Sequence, residues 1–239
     1  MTNLAKSVDL HVMPRVEDER SCKRMAELLR LAGYSAVGLT IPTGLTRNRI
    51  TLLRAVFREA GLETALRVDL TSTSRIELLR LLRRFRNSYD VVAVKCVNTR
   101  VATVACRDRR VDLIFFDPAN RSIRFTHPLA NLLRGAIEFN LVSALLNETK
   151  AEVFSVIMKQ CAIAREHKVR VVLSSGCNHP ELVRSASQIA ALASAMGLSE
   201  MQSLAGVSST PFSIIERNSA RRSPQFVEEG VRIVLPKVR

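Results

Sequence analysis

Apolar residues in this chain alternate between two spacings. Seven short apolar stretches, at residues 8–13, 36–41, 63–70, 91–95, 111–116, 136–141 and 170–174, are too brief for helices and read as buried strands. Between them the apolar residues recur at helical spacing. Residues 21–32 form a first helix, capped by Ser21 and ended by Gly33. Asn48 caps a second, with Leu52, Leu53, Val56 and Phe57 leading to Gly61. Residues 74–87 give the clearest amphipathic pattern, with Leu78, Leu81, Leu82 and Phe85 on one face and Arg80, Arg83 and Arg84 opposite, beside Glu77. A short helix over 98–106, long helices over 151–167 and 180–196, and a last helix after Pro211 complete the set; Pro180 opens the second long helix and Gly197 closes it.

Strand and helix thus alternate at least seven times with short connections, which specifies a parallel sheet with right-handed crossovers. Seven or eight such units in roughly 230 residues fit a closed TIM-like (β/α) barrel better than an open doubly wound sheet. No linker or low-complexity block divides the chain. The expectation is an α/β protein with a single domain over 1–239, ending in a short basic tail (about 219–239) that holds an apolar run at 231–235.

Charge narrows the partners. Thirty-six basic residues against 22 acidic ones give a net charge of +14, and only seven of the 36 are lysines, leaving 29 arginines. A guanidinium fork grips phosphate bidentately, so this balance points to nucleic acid more than to a lipid surface. A proteome-wide taste for arginine would read the same way. Nine Phe, two Tyr and no Trp are few for stacking on bases, which favours contact with a phosphate backbone. The five cysteines, Cys22, Cys96, Cys106, Cys161 and Cys177, form no Cys-x-x-Cys pair, so a disulfide framework or structural zinc is not expected. With no membrane-length apolar stretch and no signal-like N-terminus, the expected place is a reducing cytoplasm without membrane contact.

Candidate chemistry centres on residues 107–133. Arg107, Arg109 and Arg110 lead into the strand at 111–116, Asp117-Pro118 stops it, and a polar loop holding Arg121, Arg124 and His127 follows. A strand delivering a carboxylate and several basic groups to one loop builds a working edge; a water-facing βα loop reads equally well. Asp9 and His11 alternate onto one face of the first strand, as in the Asp-x-His-x-His opening of a metal-dependent hydrolase, but the third position is Met13, a poor ligand for a hard metal. Ser174-Ser175-Gly176-Cys177 lacks a nucleophile-elbow pattern and reads as a structural or phosphate-facing loop. Arg100, Arg107, Arg121, Arg124 and Arg184 fall in or near loops after strands, where they would track a phosphate backbone.

The segments RVDLIFFDPANR, His127 with PLANLL, AIEFNLVSALL, KVRVVLSSGCNHPELVRSASQIAALASAMGL and SSTPFSIIERN, in this order and spacing, resemble the ribonuclease P protein component 3 family, the archaeal relative of the eukaryotic 30-kDa subunit. The resemblance covers roughly residues 8–218. It implies a barrel related to the PHP phosphoesterases with a degenerate metal site, since Met13 and Ser175-Gly176-Cys177-Asn178 depart from the enzymes' motifs. It further implies a non-catalytic subunit of the ribonucleoprotein endonuclease that removes the 5′ leader of precursor tRNA. The chemistry would belong to the partner RNA and its Mg²⁺, with no cofactor or metal held by this chain. Implied partners are ribonuclease P RNA, protein component 2 as a dimer of heterodimers, the other subunits, and precursor tRNA through the holoenzyme. Implied RNA contacts are Arg100, Arg121, His127 and Arg184, and more loosely Arg67, Arg107, Arg109 and Arg110. The rival reading is a stand-alone metal-dependent phosphoesterase using Asp9, His11, Asp117, Glu138 and His179.

Overall fold

The computed structural model describes residues 6–120, 122–145, 150–223, 226–228 and 231–232. Seven strands, β1 (Ser7–Val12), β2 (Tyr34–Thr40), β3 (Glu63–Thr71), β4 (Val91–Lys95), β5 (Leu113–Phe115), β6 (Ala136–Asn140) and β7 (Val171–Ser174), pair in parallel in chain order. The two outer strands then meet. Val12 bridges Cys177, and the Met13 amide donates to the Cys177 carbonyl at 2.8 Å. At the other end the Val8 amide donates to the Val207 carbonyl at 2.9 Å, so a connecting segment completes the nearly closed barrel.

The helices surround it: α1 (Glu19–Leu31), α2 (Arg47–Glu59), α3 (Arg75–Phe85), α4 (Thr99–Arg107), α5 (His127–Leu132), α6 (Leu141–Leu145), α7 (Lys150–Glu166), α8 (Ala186–Ala195), α9 (Glu200–Gly206) and α10 (Ser209–Arg221). Outward residues of the strands (Val37, Leu39, Val92, Val94, Ile114, Ile137, Leu173) pack against Met25, Leu29, Phe57, Leu78 and Leu82 in one large core. Leu78 and Leu82 of α3 are wholly buried, which stabilises the fold by roughly 2 kcal/mol each. Inside the barrel a second core forms from small residues, Ala36, Ala65, Ala93 and Ala136, with Val8, Leu10, Val91, Leu113 and Val172. The small side chains leave room for α10, whose Ile214, Phe212 and Ile215 close the end where the strands begin. The other end, where active sites of parallel barrels form, is left to polar residues.

Several sequence expectations are corrected. The 180–196 segment is a 3₁₀ turn at Pro180–Leu182, then an extended break, then α8. Ser185 and Gln188 form a capping box that restarts the helix there, and this outweighs the start signal of Pro180. A second such box, Ser199 with Gln202, nucleates α9, and α5 is a further short helix beyond those expected. The first helix is capped by Asp18, not Ser21, whose amide is the group capped (2.9 Å); the second starts behind Thr46, with Asn48 already inside it. The helices expected over 74–87 and 98–106 are α3 and α4, and Ser74 and Asn98 cap them. Of the tail, α10 runs on to Arg221 and Phe226–Glu228 pairs antiparallel with Val231–Arg232; residues 233–239 lie outside the described residues.

Candidate functional site

Strand alternation carries polar side chains into the upper barrel in pairs: Arg67 and Asp69 from β3, Glu138 and Asn140 from β6. β1 adds His11 by a different route. Its register against β2 slips between Asp9 and Val12, so the consecutive residues Leu10 and His11 both face the interior, Leu10 in the inner core and His11 edge-on to Phe115. The slip pushes the Leu10 carbonyl towards β2, where Gly38 makes room: a Cβ there would lie 2.4 Å from that oxygen.

Arg67 sits at the centre, wholly buried. Its Nη1 and Nη2 each donate to Glu138 at 2.5 Å, Nε donates to Asp69 Oδ1 at 2.7 Å, and Nη1 also reaches the Leu10 carbonyl at 3.1 Å. Ser174 donates to Glu138 Oε1 at 2.6 Å. The His11 ring joins through Nδ1, 2.9 Å from Asn140 Oδ1, and through Nε2, 3.2 Å from Asp69 Oδ2, close enough for an ion pair though misaligned for a hydrogen bond. Burial and the Arg67 charge push the imidazole down, but Glu138 and Asp69 outweigh them and hold it up at about 9. Burial opposes ionisation of Glu138 and Asp69 too, yet Arg67 and His11 hold both below the usual carboxylate range. The buried Arg67 and His11 are balanced by the buried Glu138 and the half-buried Asp69 in one network.

That balance bears on a metal of the kind PHP enzymes use. The carboxylates that would hold it already grip a guanidinium, and an ion placed there would have to displace Arg67. Asp9 does not complete a ligand set with His11. Its Oδ1 accepts the His11 and Ser175 amides at 3.0 and 3.2 Å, its Oδ2 has no hydrogen-bond partner among the described residues, and burial raises its pKa. The same-face pairing expected from Asp-x-His is therefore undone by the register slip. Asp117 pairs with Lys95 at 3.1 Å beside a 230 Å³ cavity, and the half-buried His179 pairs with Glu181 at 2.8 Å. The donors expected for a phosphoesterase are thus engaged elsewhere. Among the described residues one group brings metal-ligating atoms within 4.8 Å of one another, His127 at the start of α5, Glu166 at the end of α7 and His167 just after it.

The basic residues scatter. Arg67 is removed from the RNA-contacting set, because a fully buried guanidinium touches no ligand. Arg100 and Arg107 are exposed at opposite ends of α4, so they serve opposite ends of the barrel. Arg109 is exposed, whereas Arg110 is clamped to Asp108 at 2.6 and 2.9 Å. His127 Nδ1 lies 2.8 Å from His167 Nε2. Arg184 is half-buried and donates to the Glu181 and Val183 carbonyls at 2.9 and 2.8 Å. Arg121 lies outside the described residues. The loop 174–177 is structural: Ser175 Oγ accepts the Cys177 amide at 3.1 Å, and the segment closes the barrel. Asp69 and Asn140 were missed, although each stands two residues along its strand from a residue singled out above, Arg67 and Glu138.

The family model described as RNase P subunit p30 matches residues 6–223. The chain belongs to that family. Ribonuclease P protein component 3 of Methanosarcina acetivorans is 25% identical over 230 residues, covering 94% of this chain and 93% of the relative. Its counterpart in Methanosarcina barkeri is 26% identical over 233 residues, with the same coverage of each chain. Among solved structures, a chain of archaeal ribonuclease P with mature tRNA superposes with a TM-score of 0.82 at 18% identity, over 97% of this chain and all of that one. A putative prolidase from Bifidobacterium longum gives 0.57 at 12% identity, over 89% and 70% of the two chains, and shares the barrel alone. Family membership makes the chain a ribonuclease P protein subunit, and the stand-alone phosphoesterase is not favoured. Among the described residues no helix is long and apolar enough to cross a membrane.

Proposed function

We propose that this chain works in the cytoplasm as a non-catalytic, single-domain protein of ribonuclease P, binding and stabilising the catalytic RNA while that RNA and its Mg²⁺ cleave the 5′ leader of precursor tRNA. The observation that carries the non-catalytic reading is the Arg67 guanidinium bound by Glu138 and Asp69. The carboxylates at the functional end of the barrel are neutralised from within, so neither is available as a metal ligand or a general base. RNA contact falls to the exposed Arg100, Arg107, Arg109 and His127 and to the half-buried Arg184, with Arg121, outside the described residues, as a further candidate. Protein component 2 is the expected partner, in a dimer of heterodimers.

Reconstitution tests this. The purified chain is assayed alone, with metal analysis and a model phosphodiester, and then with ribonuclease P RNA, protein component 2 and precursor tRNA. Leader cleavage only when the RNA is present, with no hydrolysis by the chain alone, is the expected result. Metal-dependent hydrolysis by the chain alone would overturn it.

A further inference from the structure

At the end of the barrel away from the Arg67 network, the loops leading into β5, β6 and β7 carry Arg109, Arg134 and Arg170. These three strands are neighbours in the sheet, so the loops stand about 5 Å apart at the strand starts. Helix α10 lies across them and presents Ser213, Arg217 and Arg221, spaced four residues apart on one face. Five guanidinium groups thereby line one bowl of about 640 Å³, and among the described residues no acidic side chain lines it.

Such a concentration of like charge is held in place from below. Asp112, fully buried, accepts Arg217 Nη2 on Oδ1 at 2.6 Å, and on Oδ2 it accepts Arg86 Nη1 at 2.6 Å and the Val92 amide at 2.9 Å. Arg170 Nη2 reaches the Arg134 and Gly135 carbonyls at 3.0 and 3.4 Å, tying two of the loops together. Arg109 and Arg134 are exposed, and among the described residues no carboxylate pairs with either. Guanidinium groups fixed around an open concavity match phosphate oxygens on several successive nucleotides. Among the described residues no aromatic side chain lines the bowl for a base to stack on, so it suits the backbone of a folded RNA rather than splayed bases.

We propose that this bowl, at the N-terminal ends of β5–β7, is a phosphate-backbone site for structured RNA. It rests on the RNA-binding reading above and adds Arg134, Arg170, Arg217 and Arg221 to the contacts that the sequence pointed to. It also places RNA on the face opposite the one used for catalysis by enzymes of this barrel type.

The test compares the full chain, its Arg109→Ala/Arg134→Ala variant and an Arg80→Ala/Arg83→Ala variant that loses the same charge from the exposed face of α3. Affinity for the source organism's ribonuclease P RNA is titrated at several salt concentrations, with circular dichroism to verify folding. The bowl variant should lose about two from the slope of log affinity against log salt, one per phosphate contact, and bind roughly tenfold or more weakly at low salt. The α3 variant should keep the wild-type slope. Wild-type binding with an unchanged bowl variant would overturn the site and leave the RNA reading standing, as would an equal loss from the α3 variant. Absence of salt-dependent RNA binding by the wild-type chain would overturn both.

Discussion

Arg67 and Glu138 face each other across the inside of the barrel, both fully buried, with two guanidinium–carboxylate contacts of 2.5 Å. A charge pair in that position contributes little net stability, because desolvation offsets most of the attraction, but breaking it from one side is costly. Arg67→Met should therefore destabilise the chain by about 3–5 kcal/mol, since it leaves the buried Glu138 and the half-buried Asp69 without the guanidinium they share. The double variant Arg67→Met/Glu138→Leu should recover a large part of that loss. Urea denaturation of the four members of the cycle measures the coupling; a double variant as unstable as the sum of the singles would refute it.

The same network predicts an alkaline limb in stability. His11 gains proton affinity on folding, so its contribution is complete below the unfolded value of about 6.5. That contribution is lost as pH rises from there through about 9. Glu138 and Asp69 are shifted the other way, so theirs is present above the ordinary carboxylate range and is lost only as pH falls through their depressed values. The denaturation midpoint should fall between about pH 6.5 and 9, and His11→Gln should flatten that fall. A limb of equal depth in the variant would assign it to another group.

Gly38 is held by a backbone oxygen rather than by a turn. A methyl group there meets the Leu10 carbonyl at 2.4 Å, and that carbonyl is also an acceptor for Arg67. Gly38→Ala should consequently cost several kcal/mol, more than the roughly 1–3 kcal/mol usual for overpacking, because no side chain can rotate away. Gly33→Ala is the comparison: its φ of +89° is strained for alanine but nothing lies within 4 Å. Thermal melts of both variants should rank Gly38→Ala as the more damaging.

All five cysteines are buried, and burial raises the thiols, to about 11 for Cys22 and about 12 for Cys106, Cys161 and Cys177. The native chain should react with a thiol-directed disulfide reagent orders of magnitude more slowly than the chain in denaturant. Prompt labelling of even one thiol at pH 8 would contradict the packing described.

The seven strands and their order were legible because each is apolar enough to be read by length alone, from the run at 36–41 to the run at 170–174. The short helices were not. α9 and the restart at α8 hang on Ser199 with Gln202 and Ser185 with Gln188, signals present in the sequence but weaker to the eye than Pro180. The interior site was half legible. Glu138 enters the sequence reading among the carboxylates and histidines of the rival phosphoesterase, whereas Arg67 reads as an RNA contact, because a lone arginine in a strand carries no mark of the two carboxylates that will meet it. The slip in β1 was hidden altogether, since it arises from pairing with β2 and not from the residues 9–12 themselves.

The plug formed by α10 has a consequence for synthesis. Val8 and Leu10 begin the inner core, and Ile214 completes it about two hundred residues later. At roughly 5–20 residues per second, the barrel floor stays open for some ten to forty seconds after its first wall is made. Towards the end of that interval the nascent chain exposes the alanine-lined interior and carries the loops of the arginine bowl without the helix that spans them, so the bowl is completed only as the last helix docks.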